Sequence, residues 1–295
     1  MTWQLLAISA AALWAGVNII DKHLLSGRVK NPLVMFSLSG VFTALIALGL
    51  RISGIVHPIG LPLALWAMFG GALGVFAASL YFHAVKMGDI SRIAPLFHVI
   101  PLYTALFAAV FLNEVFTIKM YIGITVIVLG AIMLSPRAEG RRFKLSNVFW
   151  LVMLSSAIVA VSNVITKHVF NASDYWTVFF YIMIGQTASI IPIIWFARRD
   201  VKNTIIEHGR KVVWLLLLVE VMDLSAMFMF YAAMFIGYVT LVNTLAAVQP
   251  FFILLFAVIA SIWFPKILKE EISRKTVAQK LVAIALIFAG VLLVS

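Results

Sequence analysis

KVVWLLLLVEVMDLSAMFMFYAAMFIG, residues 211 to 237, is almost wholly apolar yet carries Glu220 and Asp223 near its middle. At about 1.5 Å of rise per residue it is long enough to cross the roughly 30 Å hydrocarbon core of a bilayer, so it reads as a transmembrane helix. The two acids, three residues apart, share one helix face. That face cannot meet lipid, because a charge at the bilayer centre costs about 2.5 to 3.5 kcal/mol on insertion scales. Such residues face a bundle interior or a wet cavity and mark an ion, proton or substrate path. The alternative is a pair of acids buried for packing and held by hydrogen bonds.

The rest of the chain has the same character. Of its 295 residues 64% are hydrophobic and 11% charged, against about 25% charged in a soluble globular protein. This is the composition of a polytopic membrane protein. The first apolar stretch continues into Asp21 and Lys22 without a small-residue cleavage site, so it is read as a retained span. The absence of cysteine excludes disulfides, thiolate metal sites and cysteine nucleophiles, and no metal or cofactor is expected. A net charge of +11 raises the question of nucleic acid. The basic residues lie in short loops between apolar spans, however, where they set topology against anionic lipid, so no nucleic-acid partner is expected. No HExxH, GxSxG or GxxxxGK motif occurs and the six histidines are scattered, so the chain does not read as an enzyme.

Apolar stretches fall at about 3–21, 33–51, 61–84, 91–112, 118–135, 147–167, 175–196, 212–236, 239–263 and 277–294. They predict ten transmembrane helices, since they are too long for barrel strands and lack alternation. The longest polar connections are SPRAEGRRFK (135 to 144), ARRDVKNTIIEHGRK (197 to 211) and FPKILKEEISRK (264 to 275), none able to fold alone. The halves repeat. NIIDKH (18 to 23) lies over NVITKH (163 to 168) and Gly40 over Gly185 at an offset of 145. Ala84, Gly88 and Pro101 lie over Ala233, Gly237 and Pro250 at 149, and Gly130 over Gly290 at 160. The expected fold class is therefore an all-α integral membrane protein of two five-helix repeats, residues 1–137 and 138–295. An odd number of spans per half makes the second repeat inverted. Of the 22 Lys and Arg, 19 fall in odd-numbered loops and 3 in even ones, which predicts cytoplasmic odd loops and both termini outside.

The run YFHAVKMGDISRIAPLFHVIPLYTALFAAVFLNEVFT (81 to 117) with GITVIVLGAIML (123 to 134) resembles the EamA-type half of the drug/metabolite transporter superfamily. YAAMFIGYVTLVNTLAAVQPFFILLFA (231 to 257) with IFAGVLLV (287 to 294) looks like the second half. The series Tyr81, Ala84, Pro101, Glu114, Gly123, Gly130 is specific for the family and unspecific for substrate. The resemblance implies ten helices, alternating access, and a central cavity lined by the first, third and fourth helices of each half. It also implies cytoplasmic termini for several members, which conflicts with the loop charges.

Glu220 and Asp223 are the candidate proton or cation site, expected to exchange one proton. His98, between Pro95 and Pro101, sits where missing backbone donors loosen the helix, and it reads either as a proton relay or as a core histidine bonded to a freed carbonyl. Trp14, Asn18, Tyr81, Asn163, Tyr231 and Gln249 are candidate cavity-lining residues, with bridging or core packing as the alternative. Tyr81 and Tyr231 suit a small amphipathic or cationic substrate. Glu114 is expected to be structural, capping the next helix or pairing with Lys119, with Glu270 or Glu271 as its second-half counterpart. Gly70, Gly71 and Gly74 allow close helix approach. The predicted function is secondary-active transport of a small metabolite across a cell membrane, coupled to protons. Its partners would be the substrate and the bilayer, and a monomer suffices because both repeats lie in one chain. The rival function is a flippase for a lipid-linked sugar or polyprenyl phosphate, whose phosphates the basic loops would collect.

Overall fold

The computed structural model describes residues 2–25, 29, 31–87, 96–134, 147–263 and 274–294. Pro95, Glu270, Glu271, the stretch 135–144 and most of 264–275 lie outside them. Among the described residues every regular element is helical, as a bilayer demands of a chain that must pair its own backbone. The elements are α1 (Trp3–Leu25), a 3-10 segment (Pro32–Ser37) leading into α2 (Ser39–Ile52), α3 (Leu61–Met87), α4 (Ile100–Phe111) and α5 (Ile118–Leu134). There follow α6 (Asn147–Phe170), α7 (Tyr175–Ile236), α8 (Val239–Ala246), α9 (Gln249–Trp263) and α10 (Arg274–Val294). Six helical stretches are long and apolar enough to cross a membrane: Trp3–Leu25, Leu33–Ile52, Leu61–Val85, Asn147–Phe170, Tyr175–Ile236 and Val239–Ile259.

One expectation is corrected here. The polar stretch 197–211 is not a loop but part of α7, which runs for 62 residues. Its polar residues are compatible with a helix, and Gly209 is the single strong breaker among them. At 1.5 Å per residue α7 would measure about 93 Å, some three times what one crossing needs. The interruption is Gly209, with φ 64° and ψ −155°, a backbone state that is essentially restricted to glycine. It divides α7 into two consecutive spans, 175–208 and 210–236.

The core sits where α1, α3, α6 and both spans of α7 meet, around Ala7, Ala10, Ala67, Val164, Ile182, Met183, Phe230 and Ala233. Small side chains there let backbones approach. Large apolar residues such as Leu48, Ile118, Phe196 and Leu292 instead face outward, the last three more than 70% exposed, as a lipid-facing surface requires. Two helix breaks recur at the same place in the repeat. The α-helical hydrogen-bond ladder is interrupted by a turn at His98–Val99 before α4 and at Ala247–Val248 between α8 and α9, although Val99 and Ala247 keep right-handed helical dihedrals. Pro101 and Pro250 follow within the first turn of the next helix, where proline lacks only a donor that would be unused.

α5 and α10 pack against each other through glycines. A Cβ added at Gly123 would stand 3.0 Å from the Gly290 carbonyl oxygen, and one at Gly130 2.9 Å from that of Ala283. Gly130 also meets Ile287, while Gly290 meets Ile127. As the α5 number rises the α10 number falls, so the two helices run antiparallel.

Candidate functional site

The acids of the long helix are bonded to the first two helices. α1 also runs antiparallel to the second span of α7, as Trp3 against Gly237 and Gly16 against Met222 show. This register sets Trp14 beside Asp223, and the Trp14 Nε1–H donates to Asp223 Oδ1 at 2.9 Å. The Trp14 ring tilts onto Phe230, centroids 5.2 Å apart. Ser39, the first residue of α2, donates its Oγ hydrogen to Glu220 Oε2 at 2.6 Å. Glu220 is only 4% exposed, and Asp223 is half-buried.

A third acid, not singled out from the sequence, belongs to the same group. Asp21 lies seven residues after Trp14, two helical turns along the same face of α1, half-buried and within electrostatic reach of both Asp223 and Glu220. Asp21 Oδ1 and Glu220 Oε1 are buried without a hydrogen-bond partner, which is uncommon for buried polar atoms. Among the described residues no group of three His, Cys, Asp or Glu is spaced to hold a metal ion.

Of the other candidates, Tyr231 lies within electrostatic reach of Asp223 and Tyr81 within reach of Asp21, while His98, Asn163, Asn18 and Gln249 are dispersed through the bundle. Tyr231 is buried in the core against Phe170, Phe179 and Phe230. Tyr81 packs on Phe97 at 4.7 Å. His98 lies half-buried in the break before α4 and makes no hydrogen bond to Glu220 or Asp223. Asn163 donates from Nδ2 to Asn243 Oδ1 at 2.9 Å, and Asn243 in turn donates to the Val239 carbonyl, an interhelical bridge from α6 to α8. Asn18 is exposed, and Gln249 is half-buried at the start of α9.

Glu114 needs a correction. It neither caps the next helix nor pairs with Lys119, which is exposed. Its Oε1 and Oε2 accept the Val239 and Thr240 backbone N–H groups at 2.9 and 3.1 Å, so it caps α8 in the other half of the chain, against the positive end of that helix dipole. Lys167 completes the junction. Its Nζ donates to the Met234 and Phe235 carbonyls at 2.9 and 3.4 Å, at the negative end of α7. Both charges are buried, 5% and 8% exposed. A cavity of about 320 Å³ beside them is lined by Trp3, Asn171, Gly237 and Tyr238 among others. Lys167 was visible only as a repeat position in NVITKH, and nothing local indicated its partners.

Residues 1–135 match the EamA-like transporter family. The pseudopaline exporter CntI of Pseudomonas aeruginosa, in each of two strains, is 27% identical over 193 residues, 65% of this chain and 66% of the exporter. The match thus spans just under two thirds of those relatives' length. An uncharacterised protein of Methanocaldococcus jannaschii is 30% identical over 109 residues, 36% of this chain and 78% of that protein. A protein crystal structure shares the fold with a TM-score of 0.71 at 17% identity, over 99% of this chain and 95% of that one; at such identity the likeness concerns fold alone. Over residues 1–135 the chain belongs to the EamA-like transporter family, and it is a multi-pass membrane protein. Its family is one of transporters rather than enzymes.

Proposed function

We propose that the chain is a secondary-active transporter that moves a small metabolite by alternating access, coupled to protons at Glu220 and Asp223. The observation that carries this reading is the pair of bonds Trp14–Asp223 and Ser39–Glu220, which tie mid-membrane acids of α7 to α1 and α2. A proton arriving at either carboxyl competes with a bond that joins helices, so protonation and helix position are linked. The family, and a relative named as an exporter of a small organic molecule, support transport. Tyr81, Tyr231, Asn163 and Gln249 are the remaining cavity candidates, with His98 at the adjoining hinge.

The proposed architecture is ten spans in two inverted repeats, 1–137 and 138–295. It is supported by the exchange of contacts between α5 and α10. Residues 127 and 130 correspond to 287 and 290 at an offset of 160, Gly130 meets Ile287, and Gly290 meets Ile127. A contact that maps onto itself between antiparallel helices implies a two-fold axis across them, in the membrane plane. The helix breaks at His98–Val99 and Ala247–Val248 add to this, at an offset of 149. The proposed orientation places odd loops in the cytoplasm and both termini outside. Trp3 meets Gly237, Glu114 meets Val239, and the His57 N–H donates to Thr177 Oγ1, gathering the start of α1 and the even loops at one end of the bundle, and the excess of basic residues in the odd loops supports placing that end outside.

The test is flux in proteoliposomes under an imposed pH gradient, with wild type, Glu220→Gln and Asp223→Asn reconstituted at equal density. Both variants are expected to fold, to stay within about 1 to 2 kcal/mol of wild-type stability, and to lose pH-dependent flux. An unchanged pH profile in either would remove the acids from coupling.

A further inference from the structure

We propose that Asp21, Glu220 and Asp223 form a ladder of carboxylates that receives an extended oligoamine, a substrate with two or more ammonium groups along one aliphatic chain. The ladder gives the transporter its substrate class, and it rests on the transport reading only for the steps after binding. Its geometry comes from the antiparallel register of α1 and the second span of α7, fixed by Trp3–Gly237, Gly16–Met222 and Trp14–Asp223. Asp223 lies level with Trp14, Glu220 lies about one turn further along, and Asp21 lies about two turns beyond Trp14. The Cα positions are therefore spread over roughly 10 Å parallel to the helix axes, and the Asp21 carboxyl lies within electrostatic reach of both others. Among the described residues no group of three such side chains is placed to hold one metal ion, whereas several ammonium groups joined by a flexible chain can each meet a carboxyl along the ladder.

A second observation points to a ligand. Glu220, 4% exposed, keeps Oε1 without a partner while Ser39 holds Oε2, and Asp21 Oδ1 is likewise buried and unpartnered. Each orphaned oxygen is an acceptor that an N–H⁺ donor would satisfy, and an ammonium group carries three such donors. The adjoining wall is aromatic, with the Trp14 ring on Phe230 and Phe230 beside Tyr231, and it suits the methylene segments and cation–π contact.

The repeat shows that these acids are an addition to the fold rather than a need of it. At the offset of 149, Glu220 and Asp223 correspond to Gly71 and Gly74 of α3. In that half the same face closes by direct approach, Gly71 lying against the Ile182 carbonyl and Gly74 beside Ser162. The equivalent helix face is packed shut in one half and lined with carboxyls in the other.

The experiment is thermal unfolding of the purified full chain in detergent, titrated with 1,4-diaminobutane, spermidine, butylamine and MgCl₂ at matched ionic strength, followed by flux of labelled diaminobutane in proteoliposomes. Saturable stabilisation by the diamine and the triamine is expected at concentrations at least tenfold below those needed for butylamine, with Asp21→Asn erasing that preference. Equal potency of diamine and monoamine, or stabilisation by MgCl₂ matching that by diamine, overturns the ladder. So does a tenfold preference that survives in Asp21→Asn. Should that variant fail to fold, the wild-type ratio of diamine to monoamine decides alone. Binding with the expected preference but no flux overturns the transporter reading and leaves the site. Flux of another metabolite without any amine preference does the opposite.

Discussion

Trp14 and Asp223 stand 209 residues apart in sequence and are joined by one indole N–H to carboxylate bond of 2.9 Å. An indole donates and never accepts, so in this bond Asp223 supplies the acceptor oxygen. Trp14→Phe keeps an aromatic ring against Phe230 and deletes the donor together with part of the ring volume. Hydrogen bonds to charged groups contribute about 1.5 to 3 kcal/mol. The variant is expected to lose stability of that order in detergent unfolding and to shift the pH midpoint of flux. A Trp14→Phe protein with the wild-type midpoint would show that the bond plays no part in coupling.

Glu114 and Lys167 meet the junction at Gly237 from opposite sides, one on the amides of α8 and one on the carbonyls of α7. Removing either leaves buried backbone groups unpaired at about 1 to 3 kcal/mol. Glu114→Ala and Lys167→Met should each fall in that range. Because the two act on one junction, the double variant should lose less than the sum of the singles, as a double-mutant cycle would measure. Simple additivity would make them independent caps.

At the α5–α10 seam the glycines have no room for a side chain, Gly290 lying within 2.8 Å of the Gly123 carbonyl oxygen measured from an added Cβ. Gly290→Leu or Gly130→Leu must force the helices apart, with an expected destabilisation of about 1 to 3 kcal/mol or more. Gly49, whose added Cβ meets nothing within 4 Å, is the control. Gly49→Ala should be neutral or slightly stabilising, since alanine is the better helix former.

Asp174 caps α7, its Oδ1 accepting the Thr177 N–H at 3.0 Å. Burial acts to raise its pKa, but the hydrogen bonds from Thr177 outweigh it and hold the carboxyl below the ordinary 3.8. A lowered folded-state pKa gives stability that is present above that ordinary value and is lost as pH falls through the folded one. Acid unfolding of wild type should therefore steepen below about pH 3.8, and Asp174→Asn should flatten that part of the curve.

Much of this was legible in the chain itself. The spans follow from apolar length, and the acids stand out because charge in lipid is expensive. The repeat showed in NIIDKH over NVITKH. Asp21 did not stand out, because beside Lys22 at the end of a span it looks like an ordinary interfacial residue. Ser39 and Lys167 were also unread, since a serine in an apolar stretch or a lysine at a helix end acquires its role only from a partner 181 or 67 residues away. Glu114 was read as a cap but assigned to the wrong helix for the same reason: the cap crosses from one half to the other, and chain order favours the local choice. The helical character of 197–208 was missed because polarity was taken to mean a loop, whereas amphipathic residues with no breaker before Gly209 continue a helix as readily as they end it.

The helical residues up to 208 and from 210 make the connection within α7 short, with Gly209 the one residue between them outside helical geometry. A slack loop would let the spans on its two sides slide and turn separately, absorbing motion in its own freedom. Here a rod joins them through one swivelling residue. The Thr43–Thr187 hydroxyl contact at 2.8 Å ties the first span to α2, while the Ser39–Glu220 bond ties the second span to the start of that same helix. α7 and α2 therefore close a loop whose two weak points are Gly209 and the helix-interior Pro192. A carboxyl that gains or loses its hydrogen bond to Ser39 acts on a helix that the first part of α7 also holds.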